Sequence, residues 1–160
     1  MEIERKYLID ATKLPFSPED YPVHHIEQGY LCTEPVVRIR KDNEDYFLTY
    51  KSKGLMSREE YNLPLTKEAY GHLKSKVDGH IISKKRYVIP LALFIMQSTY
   101  SDLKIELDIF SEDLQGLLLA EVEFPDEKSA LSFVPPAWFG KDVTFSSEYH
   151  NSSLSQHTVL

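Results

Sequence analysis

Strict alternation of polar and apolar residues constrains this chain more than any other feature of its sequence. Seven short runs alternate in this way, at residues 2–8, 36–41, 46–51, 58–63, 83–89, 102–110 and 117–124. Successive side chains of a β-strand point to opposite faces, so each run has one polar face and one apolar face. The chain is therefore predicted to be mainly β, in the α+β class.

Two segments break the alternation and are predicted as helices. The first covers residues 67–77, where Thr66 can cap the N-terminus and Gly79 can end the helix. The second follows Pro125, with Asp126 as its cap. Its buried side is expected to consist of Ala130, Leu131 and Phe133.

The stretches between these elements are predicted as turns and loops. Residues 42–45, Asp-Asn-Glu-Asp, predict a hairpin turn slightly longer than the minimum, so neighbouring strands are expected to be antiparallel. Residues 10–27 contain three prolines and are expected to form a loop or a short helix. The Ser-rich tail after Asn151 is expected to hold one short helical turn.

The polar faces of the predicted strands carry neighbouring charges of the same sign. Residues two apart share a face, which pairs Glu2 with Glu4, Arg38 with Arg40, Lys84 with Arg86, Glu106 with Asp108, and Glu121 with Glu123. An ordinary sheet with one solvated face would explain a single such strand. Like charges side by side are destabilising, however, unless something between them compensates. The repeated pairs therefore suggest a bound ion or ligand.

A barrel with the charged faces inside would balance these charges. The cations inside would be Lys6, Arg38, Arg40, Lys51, Arg58, Lys84 and Arg86. The acids inside would be Glu2, Glu4, Glu60, Glu106, Asp108, Glu121 and Glu123. Such an interior suits a polyanion on its basic side and a divalent cation, Mg²⁺ or Mn²⁺, on its carboxylate side. We therefore predict a closed antiparallel β-barrel with a few outer helices.

Composition narrows the function classes further. The 160 residues fit one domain, 1–160, and a formal net charge of −7 argues against nucleic acid as a partner. The longest nearly apolar run, residues 88–96, is too short to cross a membrane as a helix. A single cysteine, Cys32, and an N-terminus without a leader pattern suit a cytoplasmic address.

The opening residues, Glu2-Ile3-Glu4-Arg5-Lys6, match the Glu-x-Glu-x-Lys signature of the CYTH family, also called the triphosphate tunnel metalloenzymes. The family's further motifs follow in order as Gln28-Gly29-Tyr30, Val37-Arg38-Ile39-Arg40, Leu48-Thr49-Tyr50-Lys51, Ser57-Arg58-Glu59-Glu60-Tyr61, Lys84-Lys85-Arg86-Tyr87, Glu106-Leu107-Asp108-Ile109-Phe110, Glu121-Val122-Glu123-Phe124 and Trp138-Phe139-Gly140. The chain thus resembles this family over nearly its whole length. The resemblance implies an eight-stranded antiparallel barrel forming a tunnel, a divalent metal, and cleavage of a phosphoanhydride bond in a triphosphate.

The resemblance also implies roles for individual residues. Glu2, Glu4 and Glu123 would be metal ligands, with Glu121 orienting the ion or its water. The seven cations named above would bind phosphate, and one of Glu121, Glu123 or Lys84 would help position the attacking water, with a second metal arriving with substrate. Asn62 stands where many members carry a Glu, so metal preference or affinity is expected to differ. Members of similar short length are typically inorganic tripolyphosphatases.

Two other function classes stay open at this level. One is an enzyme acting on an organic triphosphate: a thiamine triphosphatase, a nucleoside or RNA triphosphatase, or a class IV adenylate cyclase. Such an enzyme would need a base-binding pocket, and Trp138 is expected to pack on the outer barrel wall instead. The outer face is also predicted to carry Tyr30, Tyr50, Tyr61 and Tyr87. The other class is a non-catalytic polyphosphate-binding module, and a homodimer is possible through the outer face.

Overall fold

The computed structural model describes residues 1–156 as ten strands and three α-helices, with short 3₁₀ turns between them. The strands are β1 (Glu2–Ile9), β2 (Val23–Thr33), β3 (Val36–Asp42), β4 (Asp45–Lys51), β5 (Ser57–Arg58), β6 (Glu60–Pro64), β7 (Asp78–Pro90), β8 (Lys104–Phe110), β9 (Leu118–Glu123) and β10 (Phe139–Asp142). The helices are α1 (Lys67–Lys74), α2 (Glu127–Leu131) and α3 (Asn151–Leu154). None of the helices in residues 1–156 is long and apolar enough to cross a membrane.

The strands form one antiparallel sheet that curls into a nearly closed barrel. Their order is β10-β1-β9-β8-β7-β2-β3-β4-β6, and β5 pairs with β1. Only Glu59 separates β5 from β6, so residues 57–64 connect β1 on one side with β4 on the other. The predicted antiparallel barrel with a few outer helices is confirmed. Two additional strands arise because residues 57–64 are interrupted at Glu59 and because β10 pairs with the end of β1.

The largest hydrophobic cluster lies outside the barrel wall, beneath the segments that cover it. It includes Tyr7, Tyr87, Ile89, Leu107, Val122, Phe124, Phe133, Trp138 and Phe139. Trp138 packs edge-on against Phe16 and Phe94, with ring centroids 5.2 and 5.3 Å apart. The predicted packing role of Trp138 is therefore confirmed, as is the outward orientation of Tyr87.

One charged side chain, Arg5, lies on this outer face and connects three segments. Its Nη1 donates to the carbonyl oxygen of Ala130 at 2.6 Å, and its Nη2 donates to Asp142 Oδ2 at 2.5 Å. Its Nε donates to Thr144 Oγ1 at 3.2 Å. Because each of these donors is paired, the buried guanidinium holds α2 and the chain after β10 against β1.

The predicted strands are all present, and the main error in the prediction concerns β2. Residues 10–22 contain the expected short turns, but residues 23–27 belong to an eleven-residue strand. Two adjacent histidines and Gly29 obscure its alternation. The strand pairs with both β3 and β7, so long-range pairing decides a segment whose local pattern is weak.

Smaller differences occur at turns and at helix ends. The hairpin between β3 and β4 has the minimal two-residue turn, with Asn43 at a φ of 52°. Helix α1 ends at Lys74, and Gly79 belongs to β7 instead of ending the helix. Helix α2 has the predicted Asp126 cap, but Leu131 is 62% exposed and not buried. The helical turn predicted after residue 151 is confirmed as α3.

Candidate active site in the barrel interior

The barrel encloses a cavity of about 280 Å³ that brings most of the predicted site residues together. Six predicted cations line it: Lys6, Arg38, Arg40, Lys51, Arg58 and Arg86. Six predicted acids line it as well: Glu2, Glu4, Glu60, Glu106, Glu121 and Glu123. Strands β3, β4 and β5 supply most of the cations, whereas β1, β8 and β9 supply most of the acids. The cavity therefore has a basic side and an acidic side.

The basic side contains two arginines, Arg38 and Arg40, that form no ion pair with a carboxylate within residues 1–156. Arg38 is 5% exposed, and its Nε has no hydrogen-bond partner. Arg40 Nε donates to Gln28 Oε1 at 2.8 Å. Burial lowers the pKa of Arg40 to about 9, and the neighbouring charges of Arg38 and Arg86 lower it further in the same direction. Two like charges at close range in a buried site favour binding of an anion.

Lys51 links two carboxylates at the edge of this basic side. Its Nζ lies 3.0 Å from Glu2 Oε1 and 3.2 Å from Glu60 Oε2. Burial raises the pKa of Glu2 despite Lys51, whereas Glu60 has a lowered pKa because hydrogen bonds and Lys51 outweigh its burial. Asn62 Nδ2 donates to Glu60 Oε1 at 2.9 Å, so it orients this acid. The expected effect of Asn62 on metal preference stays a prediction.

Glu4 and Glu121 form the buried centre of the acidic side. Burial raises the pKa of Glu4 well above its ordinary value, and the nearby charges of Glu121 and Glu2 add to this effect. Burial also opposes ionisation of Glu121, but Lys6, Arg86 and Lys84 hold its pKa well below the usual range. Lys6 Nζ lies 3.8 Å from Glu121 Oε1. Ionisation of both carboxyl groups at once is therefore unfavourable without a further cation.

The chemistry of these carboxylates fits a divalent cation. Glu121 Oε1 is buried without a hydrogen-bond partner, and burial beside other acids disfavours the charged form of Glu4 and raises its pKa, an effect that a bound cation would oppose. Carboxylate oxygens are the ligands that Mg²⁺ and Mn²⁺ prefer. Within residues 1–156, no three His, Cys, Asp or Glu side chains are already grouped as ion ligands. Ion binding thus requires the acids to reorient away from partners such as Lys51.

Two of the fourteen predicted residues, Lys84 and Asp108, face inward but do not line the cavity. Lys84 Nζ lies 2.7 Å from Asp108 Oδ2, and both side chains are fully buried. Arg86 binds the same carboxylate through Nε at 2.7 Å and Nη2 at 2.9 Å. Burial lowers the pKa of Lys84 to about 7 despite the opposing effect of Asp108. This cluster supports the wall of the cavity and fixes Arg86 within it.

The structure also adds residues to the cavity that the sequence analysis did not identify. Tyr30, predicted on the outer face, lines the cavity instead, and its hydroxyl accepts a hydrogen bond from Gln28 Nε2 at 3.3 Å. Gln28 and Tyr30 are two residues apart, as are the members of the charged inward pairs. This spacing was the feature of the sequence that could have placed both side chains on the inward face. Asn151 and Ser152 of α3 also line the cavity, and no local pattern marks them. By contrast, Tyr50 and Tyr61 stack on the outer surface as predicted, with ring centroids 6.1 Å apart.

The chain is similar to known proteins over nearly its whole length. A family model described as the CYTH domain matches residues 1–156. An inorganic triphosphatase of Nitrosomonas europaea is 36% identical over 157 residues, which cover 96% of each chain. An inorganic triphosphatase of Acetivibrio thermocellus is 33% identical over 160 residues, covering 96% of this chain and 92% of that protein. A crystal structure of an inorganic triphosphatase superposes with a TM-score of 0.69 at 32% identity, covering 98% of this chain and 95% of the other.

Proposed function

Because the chain belongs to the CYTH domain family, we propose that it is a metal-dependent hydrolase that cleaves a phosphoanhydride bond of inorganic triphosphate inside its barrel. Relatives of nearly the same length are named inorganic triphosphatases, which supports this substrate. The cation we propose is Mg²⁺ or Mn²⁺, since the available donors are carboxylate oxygens.

The observation that carries the proposal is the uncompensated positive charge on Arg38 and Arg40. Among residues 1–156, the ion pairs of the cavity involve the other cations and leave these two guanidinium groups without a carboxylate. Arg38 retains a buried N–H without an acceptor. Guanidinium groups bind phosphate oxygens through paired donors, so a phosphate chain would supply the missing acceptors.

The remaining cations would hold and orient the chain of phosphates. Lys6, Lys51 and Arg58 already form weak or shared pairs with cavity acids, at 3.8, 3.0 and 4.0 Å. Phosphate oxygens would compete with these acids for the cations, and the cations would neutralise the negative charge that builds up on those oxygens during phosphoryl transfer. Arg86 would do so from a fixed position, because Asp108 holds its guanidinium through two bonds.

The acidic side would hold the cation and orient water. Glu2, Glu4 and Glu123 are the proposed metal ligands, and a cation held there would neutralise charge on the phosphate oxygens. Of the three residues proposed to position the water, Glu121 is the best placed, since it lines the cavity and stays ionised through Lys6 and Arg86. Lys84 is enclosed behind the cavity wall, and Glu123 is more exposed.

Parallel measurement of phosphate release tests this function. Inorganic tripolyphosphate, ATP and thiamine triphosphate would each be incubated with the protein in Mg²⁺, in Mn²⁺ and in chelator. We expect fast release from tripolyphosphate that the chelator abolishes. Equal or faster release from ATP or thiamine triphosphate would identify an organic triphosphate as substrate.

If no phosphate were released from any of the three substrates, the proposed hydrolysis would be contradicted and the other function classes would be favoured. Formation of cyclic AMP from ATP would then identify a cyclase, whereas tight binding of tripolyphosphate without turnover would identify a binding module. The cytoplasmic address and the possible homodimer stay predictions from the sequence.

A further inference from the structure

The cavity has one buried apolar end and one exposed charged end. At the apolar end, Leu154 of α3 is 3% exposed and packs in a cluster with Tyr30 and Phe110. At the other end, the side chains of Asp42 and Glu106 line the cavity and are 27% and 35% exposed. This exposed end is here called the mouth. A phosphate chain longer than the charged interior would therefore extend out through the mouth.

Strand β3 leads from the buried cations to the mouth. Its inward side chains Arg38, Arg40 and Asp42 all line the cavity. Successive inward positions on a strand are about 7 Å apart. One step beyond Arg40, a phosphate chain thus meets a carboxylate in place of a third cation. Because like charges repel each other more strongly beside a protein cavity than in water, Asp42 disfavours any phosphate that extends past Arg40.

The side chain of His24 pairs with this carboxylate. His24 Nδ1 lies 2.7 Å from Asp42 Oδ1, and because a carboxylate only accepts, the Nδ1–H group donates. Within residues 1–156, no other side chain forms a hydrogen bond or an ion pair with the Asp42 carboxylate. His24 therefore determines how much negative charge Asp42 presents to the mouth.

The pair is held beside the cavity by β2. His24 lies on the inward face of β2, where its Cα partner on β7 is Arg86, a residue that lines the cavity. The backbone N–H of His25 donates to Asn43 Oδ1 at 2.8 Å, and the backbone N–H of Asn43 donates to the His25 carbonyl oxygen at 2.9 Å. These two bonds fix the end of β3 against β2 and keep Asp42 within reach of His24.

We propose that His24 and Asp42 form a specificity-determining pair at the mouth, in which Asp42 weakens binding of linear phosphate chains longer than triphosphate and His24 limits this penalty. The inference rests on the proposed function, because it concerns which phosphate chains that site accepts. Both residues act on the part of a chain that leaves the cavity. Tripolyphosphate held by Arg38 and Arg40 is therefore affected less than tetrapolyphosphate.

Isothermal titration calorimetry in the presence of chelator tests the pair without relying on turnover. The Kd values for tripolyphosphate and tetrapolyphosphate would be measured for the wild type, H24A and D42N. In H24A we expect the ratio of the tetrapolyphosphate Kd to the tripolyphosphate Kd to rise about threefold or more, because Asp42 is left unpaired at a partly exposed position. In D42N the same ratio should fall about threefold or more, because the carboxylate is gone. Added NaCl should reduce both changes, since salt screens charges at the mouth.

Three further variants separate the pair from its surroundings. H24N keeps an N–H donor near the position of His24 Nδ1 and should have nearly the wild-type ratio. The double variant H24A/D42N should have the ratio of D42N, because His24 acts through Asp42. H25A changes the exposed neighbour of His24 and should leave the ratio unchanged, as should E44Q in the exposed hairpin turn.

The outcomes distinguish failure of the pair from failure of the proposed function. Unchanged ratios in H24A and D42N, or shifts in the same direction, would overturn the pair. A ratio in H24N as high as that in H24A would contradict the role of the hydrogen bond to Asp42. If the wild type neither binds nor cleaves tripolyphosphate, the proposed function fails, and so does the pair as a determinant of substrate.

Discussion

Arg38 combines burial, positive charge and an unsatisfied donor, which makes it unfavourable in the free protein and useful in a complex. We expect Arg38→Ala to raise the KM for tripolyphosphate at least tenfold, because a paired-donor contact to phosphate is lost. Thermal melting without ligand should show equal or higher stability, since repulsion from Arg40 is removed. The exposed Lys85 of β7 gives a matched control, and Lys85→Ala should change neither quantity. An unchanged KM in Arg38→Ala would remove Arg38 from the phosphate site.

Glu4 is the carboxyl group whose loss separates chemistry from folding most clearly. Its raised pKa means that a neutral side chain is tolerated there, so Glu4→Gln should melt at nearly the wild-type temperature. Turnover should fall by roughly 100-fold or more because a proposed metal ligand is lost. Glu44→Gln, in the exposed hairpin turn, is the control for charge alone. If the folded Glu4→Gln variant kept its turnover, the assignment of Glu4 as a metal ligand would be wrong.

Because His150 is buried, we expect the free energy of unfolding to depend on pH, separately from any effect of pH on catalysis. Burial lowers its pKa to about 4, and Lys6 and Arg58 act in the same direction. Between about pH 4 and 6.5 the unfolded chain binds one proton more than the native chain at this site, so stability falls as pH falls through this window. The contribution is at most about 3–4 kcal/mol, at about 1.4 kcal/mol per pH unit. Denaturant unfolding of His150→Gln should show a flatter pH profile than the wild type and the exposed-site variant His72→Gln, and an equally steep profile would contradict this.

At the scale of elements, the junction between β7 and α3 depends on a glycine. Gly79 has a φ of +66°, and a Cβ at this position would collide with the Ser155 carbonyl oxygen. Gly79→Ala should therefore reduce the free energy of unfolding by about 1–3 kcal/mol. Gly71 in α1 has nothing within 4 Å of its Cβ position, so Gly71→Ala should instead stabilise by about 0.5–1 kcal/mol. Urea unfolding of both variants measures these changes in the free energy of unfolding. If Gly79→Ala stabilised the protein as much as Gly71→Ala, the close approach of β7 and α3 would not matter for stability.

The elements also show where sequence patterns suffice. Each strand with clear alternation is present within a few residues of its predicted bounds. The reason is that polar and apolar residues alternating with a period of two show directly which face of the strand is buried. None of the predicted strands covers β2, since His24, His25 and Gly29 obscure the alternation while pairing with β3 and β7 stabilises the strand. Tyr30 was assigned to the wrong face in the same strand.

At the scale of the whole molecule, bound phosphate should stabilise the fold. A ligand at 100 times its Kd adds about 2.7 kcal/mol to the free energy of unfolding, which corresponds to roughly 5–10 °C in Tm for a protein of this size. Tripolyphosphate should produce this shift in the wild type and a smaller one in Arg38→Ala, measured by scanning calorimetry with chelator to prevent turnover. Added NaCl should reduce the shift because it screens the partly exposed mouth. No shift at millimolar tripolyphosphate would contradict a phosphate site in the cavity.

The class of fold, the family and most of the inward side chains could be predicted from the sequence. The reason is that alternation assigns each side chain to a face, and same-sign pairs on one face are unfavourable unless those faces meet around a ligand. How deep each charge lies and which partner it has depends on the tertiary structure. It enclosed Lys84 and Asp108 behind the wall, joined Lys51 to Glu2 and Glu60, and closed one end of the barrel with α3. These outcomes depend on contacts between residues far apart in the chain, such as Lys84 with Asn151 and His80 with Leu154, and no local period encodes them.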